Sequence, residues 1–261
     1  MNYQTAIKAH LGKLKGQAAW AARHLESGTN VMFNHRRFLA ASTIKLPILA
    51  VYAQQRNQTL FDSDYHYALS DYCEDSPCFD QVKPGSPLNW DQIAEWMMTR
   101  SDNTATNLII DRLGIPVIQD WIQAQGWQEM QLNRRMMDLE ARLYGVDNWT
   151  TPYDMMQFME RLALGTLLPE AQNQWVLDIL YRCEDPEKIP FLFKPPIRVA
   201  NKPGELPGTR SDVGLVHDGQ NHVVMALFVD QLLNPEAEVQ ADLWLAELAQ
   251  ILWQALTESN E

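Results

Sequence analysis

The chain has 261 residues, 46% of them apolar and 21% charged, with a formal net charge of −12 and a pI near 4.9. That length and apolar content suffice for one large domain or two intimate subdomains around a sizeable core. The acidic balance argues against nucleic acid or an anionic membrane surface, both of which are bound through basic patches, and leaves a small-molecule substrate as the expected partner of a monomer.

At the N-terminus, Met1 to His10 has no basic segment followed by an apolar run, and no later apolar stretch approaches membrane-spanning length. The expected address is therefore the cytoplasm, or the periplasm or exterior if a leader has been trimmed. Tyr3, Ile7, Leu11 and Leu14 fall at helical spacing. Strand patterns follow over Gln17 to Leu25 and Val31 to Ala40, joined by a turn at Ser27-Gly28-Thr29-Asn30. The middle of the chain is helical in pattern, as in Trp90 to Met98, Ala105 to Leu113, Val117 to Gln125 and Tyr153 to Leu164. Three further strand patterns, Ile197 to Gly204, Asp212 to Asp218 and His222 to Asp230, come next, the last two joined by a hairpin signal at Asp218-Gly219-Gln220-Asn221. Val239, Leu243, Ala246, Leu252 and Leu256 mark a closing amphipathic helix.

Strands at both ends around a helical middle imply an α+β fold with one five-stranded antiparallel sheet flanked by terminal helices and an inserted all-helical domain. The expected division is 1–59 plus 191–261 for the sheet domain and 60–190 for the insert. The seam between them is the expected place for a small-molecule site. Three cysteines, Cys73, Cys78 and Cys183, are too few for a disulfide framework and are expected as thiols. The six histidines show no metal-ligand spacing and there is no phosphate-cradling Gly-rich loop, so neither a metal nor a cofactor is expected.

Ser42-Thr43-Ile44-Lys45 places a hydroxyl and an amine one helical turn apart. A serine needs a positioned base to become a nucleophile, and a desolvated lysine or one close to another cation can serve. Such a pattern arises by chance about once in a chain this long, so its company matters. Ser101-Asp102-Asn103 precedes a helical run, where it also reads as a helix cap, and Lys202-Pro203-Gly204 closes a strand pattern.

In this order the three resemble the Ser-x-x-Lys, Ser-Asp-Asn and Lys-Thr-Gly motifs of class A β-lactamases and related penicillin-recognising serine enzymes. Phe38 to Leu46, Ser101 to Leu108 and Thr150 to Met155 look like their counterparts in that family, as does the layout of nearly the whole chain. The resemblance implies a serine hydrolase that forms an acyl-enzyme on Ser42, with Lys45 as base or proton relay. Ser101 would protonate the leaving nitrogen and Asn103 would hold the substrate amide. Lys202 would supply positive potential beside Gly204, and the backbone N–H groups of Ser42 and Glu205 would form the oxyanion hole. β-Lactam hydrolysis, and with it antibiotic catabolism, is the leading expectation. A peptidase or esterase on D-amino-acid substrates and a penicillin-binding sensor with little turnover are the alternatives.

Two positions depart from the family pattern. Pro203 replaces the hydroxyl-bearing middle residue of the third motif, and Arg210 is the candidate to hold a substrate carboxylate in its place. Aligning Arg134 with the family's loop arginine puts Met136 at the position of the deacylating glutamate, and a methionine cannot act as a base. Glu140, with Asp138, is the candidate replacement, or else one of these carboxylates pairs with Arg134 or Arg135 to hold the loop.

Overall fold

A computed structural model describes residues 3–258. Helix α1 (Tyr3–Leu11) leads into strands β1 (Gln17–His24) and β2 (Asn30–Phe33), a two-residue strand β3 (Phe38–Leu39), a short 3₁₀ turn (Ala41–Ile44) and helix α2 (Lys45–Gln55). The middle holds β4 (Tyr65–His66), β5 (Pro87–Leu88), α3 (Trp90–Thr99), α4 (Asn103–Leu113), α5 (Ile115–Ala124), α6 (Leu139–Leu143), β6 (Trp149–Thr150), α7 (Pro152–Ala163) and α8 (Glu170–Leu180). The chain ends with β7 (Arg198–Leu206), β8 (Thr209–His217), β9 (His222–Asp230) and α9 (Pro235–Thr257). The main sheet is antiparallel, in the order β2-β1-β9-β8-β7, so strands from the two ends of the sequence meet at the β1–β9 pairing.

That sheet is covered on both faces. On one, β9 residues Val223, Met225, Leu227 and Val229 pack under α9 through Trp244, Leu245, Leu248 and Leu252. On the other, Val224, Ala226 and Phe228 join a core that runs through α2 and α7 into α3, α4 and α5. The unbroken apolar run from Val223 to Val229 in β9 follows from burial on both faces. Helix α7 lies within the 60–190 segment yet packs on β1 and β9, so the helical segment and the sheet share one core.

The expected strand Val31 to Ala40 is two pieces instead. It breaks after Phe33 because Asn34 takes a left-handed φ of 56° and donates its side-chain amide to the Ala18 carbonyl at 3.0 Å. Asparagine tolerates that backbone region better than most residues. The separated piece β3 then pairs with β6, tying the segment before Ser42 to the loop that follows α6. Helices α6 and α8 carry no expectation from the sequence; α6 has only five residues, too short for periodicity to register.

Two buried aspartates fasten loops to this frame. Asp102 caps α4 by accepting the Ala105 N–H at 2.8 Å, and its other oxygen takes the N–H groups of Cys78 at 2.9 Å and Phe79 at 3.2 Å. Asp212 in β8 accepts the Ile189 N–H at 2.9 Å and the Asn201 side-chain amide at 3.1 and 3.0 Å.

Removing the Asp102 carboxylate by Asp102→Ala orphans buried N–H groups and should cost about 1–3 kcal/mol, read as a lower denaturation midpoint with an unchanged m-value; an unchanged midpoint would show that the cap carries no stability. Burial pushes the Asp212 carboxyl from 3.8 up to about 7, against the opposing pull of Lys188. The folded state therefore holds a proton that the unfolded state releases, and this contribution is full below the unfolded value and lost as pH rises through about 7. Stability of the wild type relative to Asp212→Asn should fall between pH 4 and 7; a flat difference would contradict the shift.

Candidate active site

Ser42 sits on the 3₁₀ turn that enters α2, and Lys45 is the first residue of that helix. The turn is held by the Thr43 hydroxyl, which donates to the Ala40 carbonyl at 2.6 Å. Ser42 faces two cavities, one on each side. Its hydroxyl forms no hydrogen bond among the described residues, which leaves it open to a ligand; catalytic hydrogen bonds often tighten only once substrate is bound.

The Lys45 side chain is fully buried and crosses to the segment before α4. Its Nζ donates to the Ser101 carbonyl at 2.7 Å and to Asn103 Oδ1 at 2.9 Å, and lies 3.2 Å from Ser101 Oγ. Ser101 reaches this position through a left-handed φ of 53°, which turns its carbonyl and hydroxyl toward the same amine. Burial, reinforced by the nearby charge of Lys202, holds the Lys45 amine well below an ordinary lysine. A neutral amine satisfies the two shorter contacts with its N–H donors and keeps a lone pair for a hydroxyl proton. Asn103 is fixed in turn by donating to the Glu74 carbonyl at 3.2 Å.

The opposite wall is β7. A Cβ built on Gly204 would lie 2.8 Å from Ser211 Oγ and 3.1 Å from the Ser42 backbone nitrogen, so only glycine lets the strand run this close to Ser42. Glu205 follows and lines both cavities. Lys202 is buried behind them with its amine donating to the Pro203 carbonyl at 2.9 Å, and burial lowers its pKa.

One cavity, of about 260 Å³, is walled by the loop before α6 through Arg134, Met136 and Met137, and by Leu139 at the start of that helix. Asn107, one turn after Asn103 on α4, grips the loop at Met136: it accepts the Met136 N–H at 2.8 Å and donates to the Met136 carbonyl at 3.1 Å. Arg134 closes the loop base with bonds to Asp147 at 2.6 and 3.0 Å, while Asn148 Oδ1 accepts the N–H groups of Asn133 and Arg134. The methionine is thus a wall of the cavity that contains Ser42.

Ser42, Lys45, Ser101, Asn103, Gly204 and Glu205 are brought together, Lys202 lies buried behind them and lines neither cavity, and two further expected residues stand apart. Arg210 lies opposite Glu205 in the sheet register, but its guanidinium turns to α9, where Glu238 accepts at 2.7 Å and Asp242 lies 3.5 Å away, and it lines neither Ser42 cavity. Its expected role as a carboxylate clamp is corrected: two acidic residues already hold it. Glu140 is exposed on α6 and also lines neither cavity, while Asp138 caps that helix by accepting the Ala141 N–H at 3.0 Å. The carboxylates that pair with Arg134 and Arg135 are instead Asp147 and Asp111, at 2.6 and 2.8 Å. Sequence reasoning missed Asn107, although its four-residue spacing from Asn103 put both on one helix face. The long-range pair of Arg134 with Asp147 and the fully buried Lys188, held by Glu205, left no local signal.

Residues 2–256 match the model of the β-lactamase enzyme family. The β-lactamase CARB-3 of Pseudomonas aeruginosa is 29% identical over 144 residues, 54% of this chain, and the match spans only half (50%) of that protein's length. A β-lactamase structure from Sphaerobacter thermophilus superposes with a TM-score of 0.87 at 25% identity, covering 100% of this chain and 98% of the other. A mutant of PBP-A, solved as an acyl-enzyme complex with penicillin G, superposes with a TM-score of 0.87 at 25% identity, covering 98% and 96%. With the nucleophile turn, the Lys45 bridge and the close β7 wall in one seam, and the family match running almost end to end, the chain belongs to the β-lactamase enzyme family.

Proposed function

We propose that the protein is a serine hydrolase that attacks a β-lactam amide through Ser42 and forms an acyl-enzyme. The observation that carries this reading is the buried Lys45 amine, fixed between Ser101 and Asn103 and held well below its ordinary pKa beside the open Ser42 turn. Ser42 loses its proton to the Lys45 lone pair as its oxygen attacks the carbonyl, and the proton passes through Ser101 Oγ to the departing nitrogen. The Ser42 and Glu205 N–H groups face the developing oxyanion, and Asn103 and the strand at Gly204 position the substrate.

Deacylation is the weak half of this cycle. It needs a base for the attacking water, and Met136 stands where the cavity wall would have to offer one. Of the three carboxylates that line this cavity, the exposed Asp75 has no ion pair among the described residues, while Asp147 is occupied by Arg134 and Arg142 and Glu205 by Lys188. This favours a long-lived acyl-enzyme, so penicillin binding with slow turnover is the second reading of the same machinery.

Incubation with benzylpenicillin should shift the intact mass of the protein by one acyl group, and Ser42→Ala should abolish the adduct; an adduct that survives the substitution would remove Ser42 from the mechanism. Because the base must be unprotonated, the acylation rate should rise with pH through a midpoint below the 10.5 of an ordinary lysine, and Lys45→Met should slow it by at least about a hundredfold. A rate independent of both pH and Lys45 would contradict the assignment. Met136→Glu should raise steady-state turnover by about tenfold or more, with adduct lifetime falling in parallel; an unchanged lifetime would mean that another step limits release.

A further inference from the structure

The second cavity beside Ser42, about 600 Å³, lies on the Ser101 and Pro203 side, where a leaving group would sit. Its size suits a small molecule. Four carboxylates line it, those of Asp75, Asp80, Asp185 and Glu205, against one cation, Arg100, whose guanidinium is 2.7 Å from Glu184.

Each nearby group that could receive a substrate carboxylate is occupied or missing. Arg210 is held by Glu238 and Asp242. Lys202 is buried and donates to the Pro203 carbonyl. Lys188 is fully buried and engaged by Glu205 and, at 3.4 Å, Asp242. Pro203 itself offers neither a hydroxyl nor an N–H. Lys188 offsets part of the charge of Glu205 and Asp185, whereas Asp75 and Asp80 form no ion pair among the described residues. Asp80 is partly satisfied by the Tyr72 hydroxyl at 2.8 Å. Asp75, exposed and turned by a left-handed φ of 56°, lines both cavities around the nucleophile.

We propose that Asp75 is a specificity-determining residue that makes this site select acyl donors with a cationic group on the leaving-group side over donors with a carboxylate there. The proposal rests on the acyl-enzyme reading above and names its substrate class: esters or amides, lactams included, whose leaving portion bears an ammonium. A carboxylate placed in this cavity meets four carboxylates, with only the buried Lys202 behind it and the Glu184-paired Arg100 as cations, while an ammonium meets Asp75 in the lining. The chain's net charge of −12 adds a weak pull in the same direction.

The test uses two esters of phenylacetic acid with the same acyl group, one of choline and one of glycolate, and reads the acylation of Ser42 by each. The choline ester should have a kcat/KM about tenfold higher or more at low salt, with the ratio shrinking as ionic strength rises. Asp75→Asn should lower the ratio by about threefold or more, mainly through KM, and Asp75→Lys should lower it further. Equal or reversed preference in the wild type, or a ratio unmoved by both substitutions, overturns the proposal. Calorimetric binding of the two matching amides to Ser42→Ala reads the same preference without chemistry. If neither ester acylates the protein, the acyl-enzyme reading is decided by the benzylpenicillin adduct, while tighter binding of the cationic amide to Ser42→Ala still supports charge selection and equal binding overturns it.

Discussion

The seam of this molecule is organised around one buried amine. Lys45 leaves the first turn of α2 and spans to the backbone and side chains that open α4, and its acceptors come from Ser101 and Asn103 rather than from its own helix. Burying a charged ammonium with no carboxylate in contact is costly, and burial holds the Lys45 pKa well below that of an ordinary lysine. The acceptors are fixed first: Asp102 pins the start of α4 to Cys78 and Phe79, and Asn103 is tied to the Glu74 carbonyl. The proposed chemistry of Ser42 thus depends on a fold that brings two distant turns together and buries the Lys45 amine between them.

From that centre the two sides of the nucleophile differ in character. Toward β7 the approach of Gly204 lets the strand backbone face Ser42 at close range. Toward α6 the wall is a loop clasped by Asn107 and by the Arg134–Asp147 pair, and it presents a thioether. On the proposed acyl-enzyme reading, the seam supplies a base and a proton relay for acylation and a thioether where hydrolysis would need a base. The carboxylates around the leaving-group cavity add a second asymmetry, one of charge.

Much of this was legible in the sequence because local rules and tertiary context agree. The β9 strand at His222 to Asp230, the helix after Ser-Asp-Asn and the Ser-x-x-Lys turn are all specified by nearby residues, and their order implied the sheet joined from both chain ends. The break after Phe33 was not, since it depends on Asn34 reaching the Ala18 carbonyl across the sheet edge. Arg210 failed as a ligand for the same kind of reason. Its position near a strand start was readable, but the two acidic residues that hold it come from α9, some thirty positions later. Glu140 was close in sequence to the right loop, yet it points into solvent on a short helix whose cap is Asp138. Met136 was legible only as a residue without a base at the aligned position; its place in the cavity wall comes from the grip of Asn107 on the loop, which no local pattern announces.

The proposed activation of Ser42 depends on the protonation state of one side chain. A pH titration of the Lys45 Cε resonance in the isotopically labelled protein, assigned by its loss in Lys45→Met, measures it directly. The account predicts a midpoint well below the ordinary 10.5, so that a neutral amine is available near Ser42 in the working range. A midpoint at or above 10.5 would show a permanently charged lysine and contradict its role as the base that activates Ser42.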